Sequence, residues 1–362
     1  MIMGIEIKRG ALLLVSMAAA LVLGACAGAD TEKLRSQAAE QLRKANFAVA
    51  EEVSKKALEL DEKRLGKDHQ TVAADLAILG RVYLKQGRYV DAEQAFKRSK
   101  DIREKHLQPE LLALTESLDG LGLTYTAEGK FDDAADLLEQ SLQIREDNFA
   151  GTSAPVAESR NSLGRLYFDA GNWAEAEALF KQAEKAYEKA LGSDSPEVTT
   201  VRNNLAALYF AQGQYGQAEP LYKWTLSVAE KSAGPDSLDA ANTLNNLGEL
   251  YRVQGKFGEA APLYKRALAI YEKTVGAESS YVAACLNNMA LMYQAQKKFA
   301  DAEPLYKRAL AINEQALGRD HIAVANIMRN YAVLLRMTRR DAEAANLESK
   351  VRTIVARQAT VQ

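Results

Sequence analysis

Leu79–Arg98 reads LGRVYLKQGRYVDAEQAFKR, and the phrase returns as LGRLYFDAGNWAEAEALFKQ at Leu163–Gln182 and as LGELYRVQGKFGEAAPLYKR at Leu247–Arg266. The register is strict. Small residues fall at Ala38, Gly80, Gly122, Gly164, Ala206, Gly248, Ala290 and Ala332, each 42 residues after the last. A period of that size marks stacked structural repeats, each packed only on its neighbours. It predicts a solenoid of about eight stacked units rather than a closed globule. Such an array offers an extended binding surface rather than a closed catalytic pocket.

Reading outward from the small residue, a tyrosine follows three positions on, at Tyr83, Tyr125, Tyr167, Tyr209, Tyr251 and Tyr293, on the same helical face. Glycine comes next, at Gly87, Gly129, Gly171, Gly213 and Gly255, where a residue tolerant of positive φ ends a helix. A second aromatic stands two residues later, at Tyr89, Phe131, Trp173, Tyr215, Phe257 and Phe299. Three further on all eight units carry alanine, Ala50 through Ala344. The expectation is that alanine lets the second helix approach the first and that these aromatics fill the space around it. Acidic residues such as Asp91, Asp133, Glu175, Glu259 and Asp301 open the second helix and lysines lie further along, in the sense the helix dipole favours. Pro220, Pro262 and Pro304 fall inside that helix and are expected to bend it rather than end it. The opening unit, with its polar helix TEKLRSQAAEQLRK, and the closing unit, with Arg339 and Asp341 in place of glycine and aromatic, read as solvated caps.

The N-terminus is an address. Lys8 and Arg9 precede an uncharged stretch, Gly10 to Ala29, whose apolar heart is ALLLVSMAAALVLGA. Basic residues, a short apolar run and then small residues are the layout of a secretory signal. Leu23-Gly24-Ala25-Cys26 at its end resembles the lipobox of bacterial lipoproteins. That resemblance implies a diacylated Cys26 as the first mature residue, and Ala27 after it implies sorting to the outer membrane, facing the periplasm. Two or three acyl chains hold a protein lastingly where one does not. The expected organisation is a signal peptide over 1–25, a tether over 26–32, the solenoid over 33–357 and a tail over 358–362.

The pattern small-x-x-Tyr-x-x-x-Gly-x-aromatic-x-x-Ala resembles the tetratricopeptide repeat. Its period of 42 exceeds the usual length of about 34. Phrases such as LNNLGELYRVQGKFGEAAPLYKRALAIYEK are similar to the kinesin light chain type. The resemblance implies an all-α solenoid of about eight antiparallel helix pairs, wound into a right-handed superhelix whose first helices line a concave groove. It stops short of a motor role, because the coiled coil that joins a kinesin light chain to its motor has no counterpart here.

The candidates for function are columns that packing does not require. Asn161, Asn203, Asn245 and Asn287 stand three residues before the small position, and Asn204, Asn246, Asn288 and Asn330 two before it. Asparagine is only a middling helix former. Its amide both donates and accepts, which suits the backbone of an extended peptide. By resemblance the first column faces the groove and holds peptide. Alternatively, both columns hydrogen-bond between neighbouring first helices. Arg81 and Arg165, one residue after the small position, share that face and suit a carboxylate. The equivalent positions elsewhere are Leu123, Ala207, Glu249 and Leu291, so no uniformly basic groove is expected.

No catalytic, metal or cofactor site is expected. His69 and His321 occupy the same loop of different repeats, 252 residues apart, and His106 stands alone. Cys285, among apolar neighbours, reads as a core residue. With 46 basic against 48 acidic residues the chain has no field to draw nucleic acid. The function expected is a non-enzymatic, lipid-anchored envelope scaffold that binds protein or peptide partners through its groove. The alternatives are an envelope enzyme or glycan-processing factor with a site in the groove, and a purely structural, oligomerising spacer.

Overall fold

The computed structural model describes residues 30–359, and among them the only extended regular structure is helix. α1 covers residues 30–43. It is followed by α2 (Phe47–Leu65), α3 (Gln70–Lys85), α4 (Tyr89–Lys105), α5 (Leu107–Glu128), α6 (Phe131–Asn148), α7 (Ala154–Asp169) and α8 (Trp173–Leu191). Then come α9 (Pro196–Ala211), α10 (Tyr215–Ser232), α11 (Leu238–Val253), α12 (Phe257–Thr274), α13 (Ser280–Ala295), α14 (Phe299–Leu317), α15 (Ile322–Met337) and α16 (Asp341–Ala359). Odd-numbered helices are the first of each pair and even-numbered ones the second. The helices form two compact units, Met1–Thr124 and Tyr125–Gln362, with the division inside α5. Within each unit successive helices pack as neighbours, which is α-solenoid architecture. The expected signal segment and Cys26 lie outside the described residues. α1 begins at residue 30, inside the stretch read as a tether.

The turn inside each pair is a Schellman close. In α3 the N–H of Arg88 donates to the Tyr83 carbonyl at 2.9 Å, and the same bond joins Lys256 to Tyr251 and Arg340 to Leu335 at 2.8 Å. The residue before that donor is left-handed in every turn where its φ is described, and three of these are not glycine: Ala45, Lys297 and Arg339 have φ of 56°, 60° and 61°. The turn is therefore kept where its preferred residue is missing, at a strain of about 1–2 kcal/mol each. His69 and His321 cap α3 and α15, each Nδ1 accepting from a backbone N–H two residues on.

The alanine column is buried throughout, with Ala50, Ala92, Ala134, Ala176, Ala218, Ala260, Ala302 and Ala344 all fully buried. The aromatics beside it are not those expected. Tyr89, Phe131, Tyr215, Phe257 and Phe299 are each the first residue of a second helix and only half-buried at the turn, and Trp173 is exposed. The rings that fill the gap lie seven residues further along, at Phe96, Phe180, Tyr264 and Tyr306, all fully buried, and Tyr222 in the same column. They stand against the small residue of the first helix. A Cβ on Gly164 would lie 2.7 Å from Phe180, and Phe96 is pressed between Gly80 of α3 and Gly120 of α5.

The tyrosines of the first helix reach backwards one repeat. Tyr209 donates to Glu177 and Tyr251 to Glu219, each at 2.9 Å, and each glutamate is also paired with a lysine four residues on, Lys181 or Lys223, at 2.6 Å. Pro220, Pro262 and Pro304 are accommodated inside α10, α12 and α14, which run through them without a break.

The opening helix is less solvated than its composition implies. Arg35 of α1 points inward, donating to Asp61 of α2 at 2.5 Å and to Asp75 of α3 at 2.7 Å, and both carboxylate side chains are fully buried. Arg64 closes the cluster on Asp61 at 2.7 Å.

Candidate functional site

In the second unit the first helices stand side by side, α7 against α9, α11 against α13 and α13 against α15. The helical period leaves one stripe of each only partly covered, and on α11 that stripe runs through Asn242, Asn245, Asn246, Glu249 and Arg252. Both asparagine columns lie on it, and all eight of their members are half-buried.

The columns meet across helices. Nδ2 of Asn204 donates to Oδ1 of Asn161 at 2.8 Å, Asn288 to Asn245 at 3.3 Å and Asn330 to Asn287 at 3.0 Å. Asn287 also donates to its neighbour Asn288 at 3.4 Å. Asn203 is bound differently, its Oδ1 lying 2.9 Å from the Thr225 hydroxyl of α10. Each first-column asparagine thus has its Oδ1 engaged within the protein, and Asn287 its Nδ2 as well, which is the bridging arrangement for three of the four. These bridges leave the Nδ2 of Asn161 and the Oδ1 of Asn204 and Asn330 without a hydrogen-bond partner among the described residues, so the face retains donors and acceptors.

Arg165 is on the same face of α7 as Asn161 and is exposed, with no ion pair to another described residue. Arg81 is likewise exposed, but it belongs to the first unit and is not brought to the asparagines of the second by anything within either unit. A charged pair that composition did not single out sits nearer the centre. Glu249 accepts from Arg252 through two bonds of 2.6 and 2.7 Å and from the buried Tyr264 hydroxyl at 2.9 Å. The Glu249 hydrogen bond holds the Arg252 guanidinium more firmly protonated than usual, and burial raises the Tyr264 phenol. The spacing of Glu249 and Arg252, three apart on a half-open stripe, is the sequence signal for that pair. Thr225 also went unmarked, its signal being a hydroxyl in a column that elsewhere in this unit is Ser141, alanine or Val351.

Away from this face, His69 and His106 line one depression together with Asp68. Among the described residues no group of three or more His, Cys, Asp or Glu is arranged to hold a metal ion. Cys285 is fully buried, donating weakly to the Tyr264 carbonyl at 3.5 Å, and burial pushes its thiol up to about 12.

No characterised protein matches the chain by sequence. Among solved structures it is similar to the Rap conjugation gene regulator of plasmid pLS20 in complex with the Phr* peptide, with TM-score 0.65 and 12% identity, covering 91% of this chain and 96% of that one. It is similar also to the apo form of the quorum sensor NprR from B. thuringiensis, with TM-score 0.61 and 15% identity, covering 90% and 87%. A putative kinesin light chain of Podosopora anserina with nearly identical TPR-like repeats matches at 26% identity over 55% of this chain and 94% of that one, with TM-score 0.47. The model described as Tetratricopeptide repeat matches residues 32–105, 111–189, 155–231, 197–273 and 281–356. Those matches run along the same turns, alanines and buried rings that build the fold, and the chain belongs to the tetratricopeptide repeat family.

Proposed function

We propose that the protein is a lipid-anchored scaffold of the bacterial cell envelope that binds extended peptide segments of partner proteins along the asparagine face of its first helices. The observation that carries the binding role is the half-buried stripe of Asn161, Asn203, Asn245 and Asn287, flanked by a second amide column, whose bridges leave amide donors and acceptors uncommitted on a partly open face. Carboxamides pair with peptide groups irrespective of side chain, so recognition rests on backbone and shape, with modest energy per contact. The peptide held by the pLS20 regulator supports the reading by likeness of fold alone. Arg165 adds a cation at one edge for an acidic residue of the partner. The reading assigns no catalytic residue, metal or cofactor.

The anchor rests on the lipobox at Leu23–Cys26. Among the described residues no helix is long and apolar enough to cross a membrane. The lipid at Cys26 would fix the protein at the outer membrane facing the periplasm.

Two experiments test the two halves. Peptides are selected from a displayed random dodecapeptide library on the full-length protein and their affinities measured against the triple variant Asn203→Ala, Asn245→Ala, Asn287→Ala. Loss of affinity with an unchanged circular dichroism spectrum is the expected result, and equal affinity removes the face from consideration. For the anchor, a Cys26→Ser protein is expected to move from the membrane fraction to the soluble one and to lose incorporation of labelled fatty acid.

A further inference from the structure

A column of glutamates near the ends of the second helices is answered by arginine in every repeat of the second unit except the last. Glu146, Glu188, Glu230, Glu272 and Glu314 stand 42 residues apart, on α6, α8, α10, α12 and α14. Arg160 of α7 reaches Glu146 at 2.8 Å and Arg202 of α9 reaches Glu188 at 2.5 Å. Arg266 of α12 and Arg308 of α14 cross from the next second helix to Glu230 and Glu272, at 2.7 and 2.6 Å. Glu314 has only Arg319 of the following loop, no nearer than 4.0 Å.

Register accounts for the exception. The place of Arg160 and Arg202 falls to Met328 of α15, which has no charge, and the place of Arg266 and Arg308 falls to Lys350 of α16. A lysine side chain is one atom shorter than an arginine and carries a point charge instead of a fork. Lys350 makes no ion pair or hydrogen bond to another described residue. Between α14 and α16 lies a cleft of about 530 Å³, with Glu314 contributed by one helix and Lys350 by the other. Met328 and Ile354, both buried, give it an apolar floor. Arg357, which also lines it, is neutralised by Asp320 at 2.5 Å.

Two opposite charges that share a cleft without pairing suit a ligand that carries both. A carboxylate answers Lys350 and a cation answers Glu314. The four earlier glutamates show which cation this column accepts, and the floor offers an aliphatic stem a surface to lie on. Arg319 is 86% exposed and leaves Glu314 without loss of a hydrogen bond. We propose that the cleft binds arginine with a free α-carboxylate, as the amino acid or as the last residue of a peptide, the guanidinium on Glu314 and the carboxylate on Lys350. The site is lined chiefly by second helices and is separate from the asparagine face of the first. Its charged contacts are exposed to water, so each is weak and the affinity is modest.

The test follows the backbone amides of Ser349, Lys350 and Thr353 by NMR on the full-length protein in detergent micelles, so that a ligand on the asparagine face is read separately. L-Arginine is expected to shift these resonances to saturation. Agmatine, which is arginine without the carboxylate, is expected to bind more weakly by up to about tenfold, the worth of one hydrogen bond. Lys350→Met is expected to abolish that difference, and Glu314→Gln to weaken L-arginine by a similar factor with an unchanged circular dichroism spectrum. The tripeptide Gly-Gly-Arg separates the two sources. Tighter binding than L-arginine assigns a chain terminus, weaker binding assigns the free amino acid, and both sustain the site. Resonances that move with neither L-arginine nor Gly-Gly-Arg overturn the proposal. So does agmatine bound as tightly as L-arginine by the wild type, or an L-arginine affinity unchanged in Glu314→Gln.

Discussion

Gly248 of α11 lies so close to Tyr264 of α12 that a β-carbon added to it would stand 2.9 Å from the ring's Cε1. The ring is fully buried and tied through its hydroxyl to Glu249, so it has little room to yield. Gly248→Ala is therefore expected to destabilise the second unit by about 1–3 kcal/mol in urea unfolding. Gly258, inside α12 with nothing within 4 Å of its would-be Cβ, is the control. There the same substitution is expected to be neutral or to stabilise by up to about 1 kcal/mol.

Removing Arg35 leaves two buried carboxylates with only Arg64 beside one of them. Breaking a buried ion pair from one side costs on the order of 3–5 kcal/mol. Arg35→Ala is expected to release α1, read as fast amide hydrogen exchange over residues 30–43 while the second unit keeps its protection.

The same cluster gives the first unit a pH dependence. Burial, aided by Asp61, pushes the Asp75 carboxyl from its ordinary 3.8 up to about 6 against the pull of Arg35. The folded chain thus holds that proton to higher pH than the unfolded chain does. The stabilisation from it is complete below about 3.8 and is lost as pH rises through about 6. Between those values unfolding of the first unit is expected to become easier with rising pH, and Asp75→Asn is expected to flatten that slope. A slope unchanged by the substitution would assign it to other groups.

Lys297 holds a left-handed turn with φ of 60°, where five other repeats have glycine. Lys297→Gly is expected to relieve strain and stabilise the α13–α14 pair by about 1 kcal/mol, checked by calorimetry. Ala in its place is expected to bring no gain, since the β-carbon is what the turn resents.

Cys285 is expected to resist iodoacetamide in the native protein and to be alkylated fully in denaturant, because its thiol is buried and its thiolate suppressed. Mass spectrometry of the peptide that contains it gives the answer directly.

The turn glycines and the alanine column could be read from the sequence because each is a local demand: one residue must take a left-handed φ, another must leave no bulk. The left-handed Ala45 and Arg339 show that the period carries this information even where the residue type does not. What stayed hidden needs two chain segments at once. Phe180 matters because Gly164 faces it, and no pattern inside one helix marks that pairing. Arg35 looked like a solvated cap charge because Asp61 and Asp75, its partners, are 26 and 40 residues away. The asparagine face was visible as two columns, but its single interruption is written in a different helix, at Thr225.

The tyrosine bonds give the array a direction. Each links a first helix to the glutamate of the repeat before it, never to the one after. Stripping a repeat from the C-terminal side leaves behind a glutamate still satisfied by Lys181 or Lys223, whereas stripping one from the N-terminal side strands a phenol that has lost its acceptor. Within the second unit the stack should fray from its C-terminal end inward, as a zip opens from one side only.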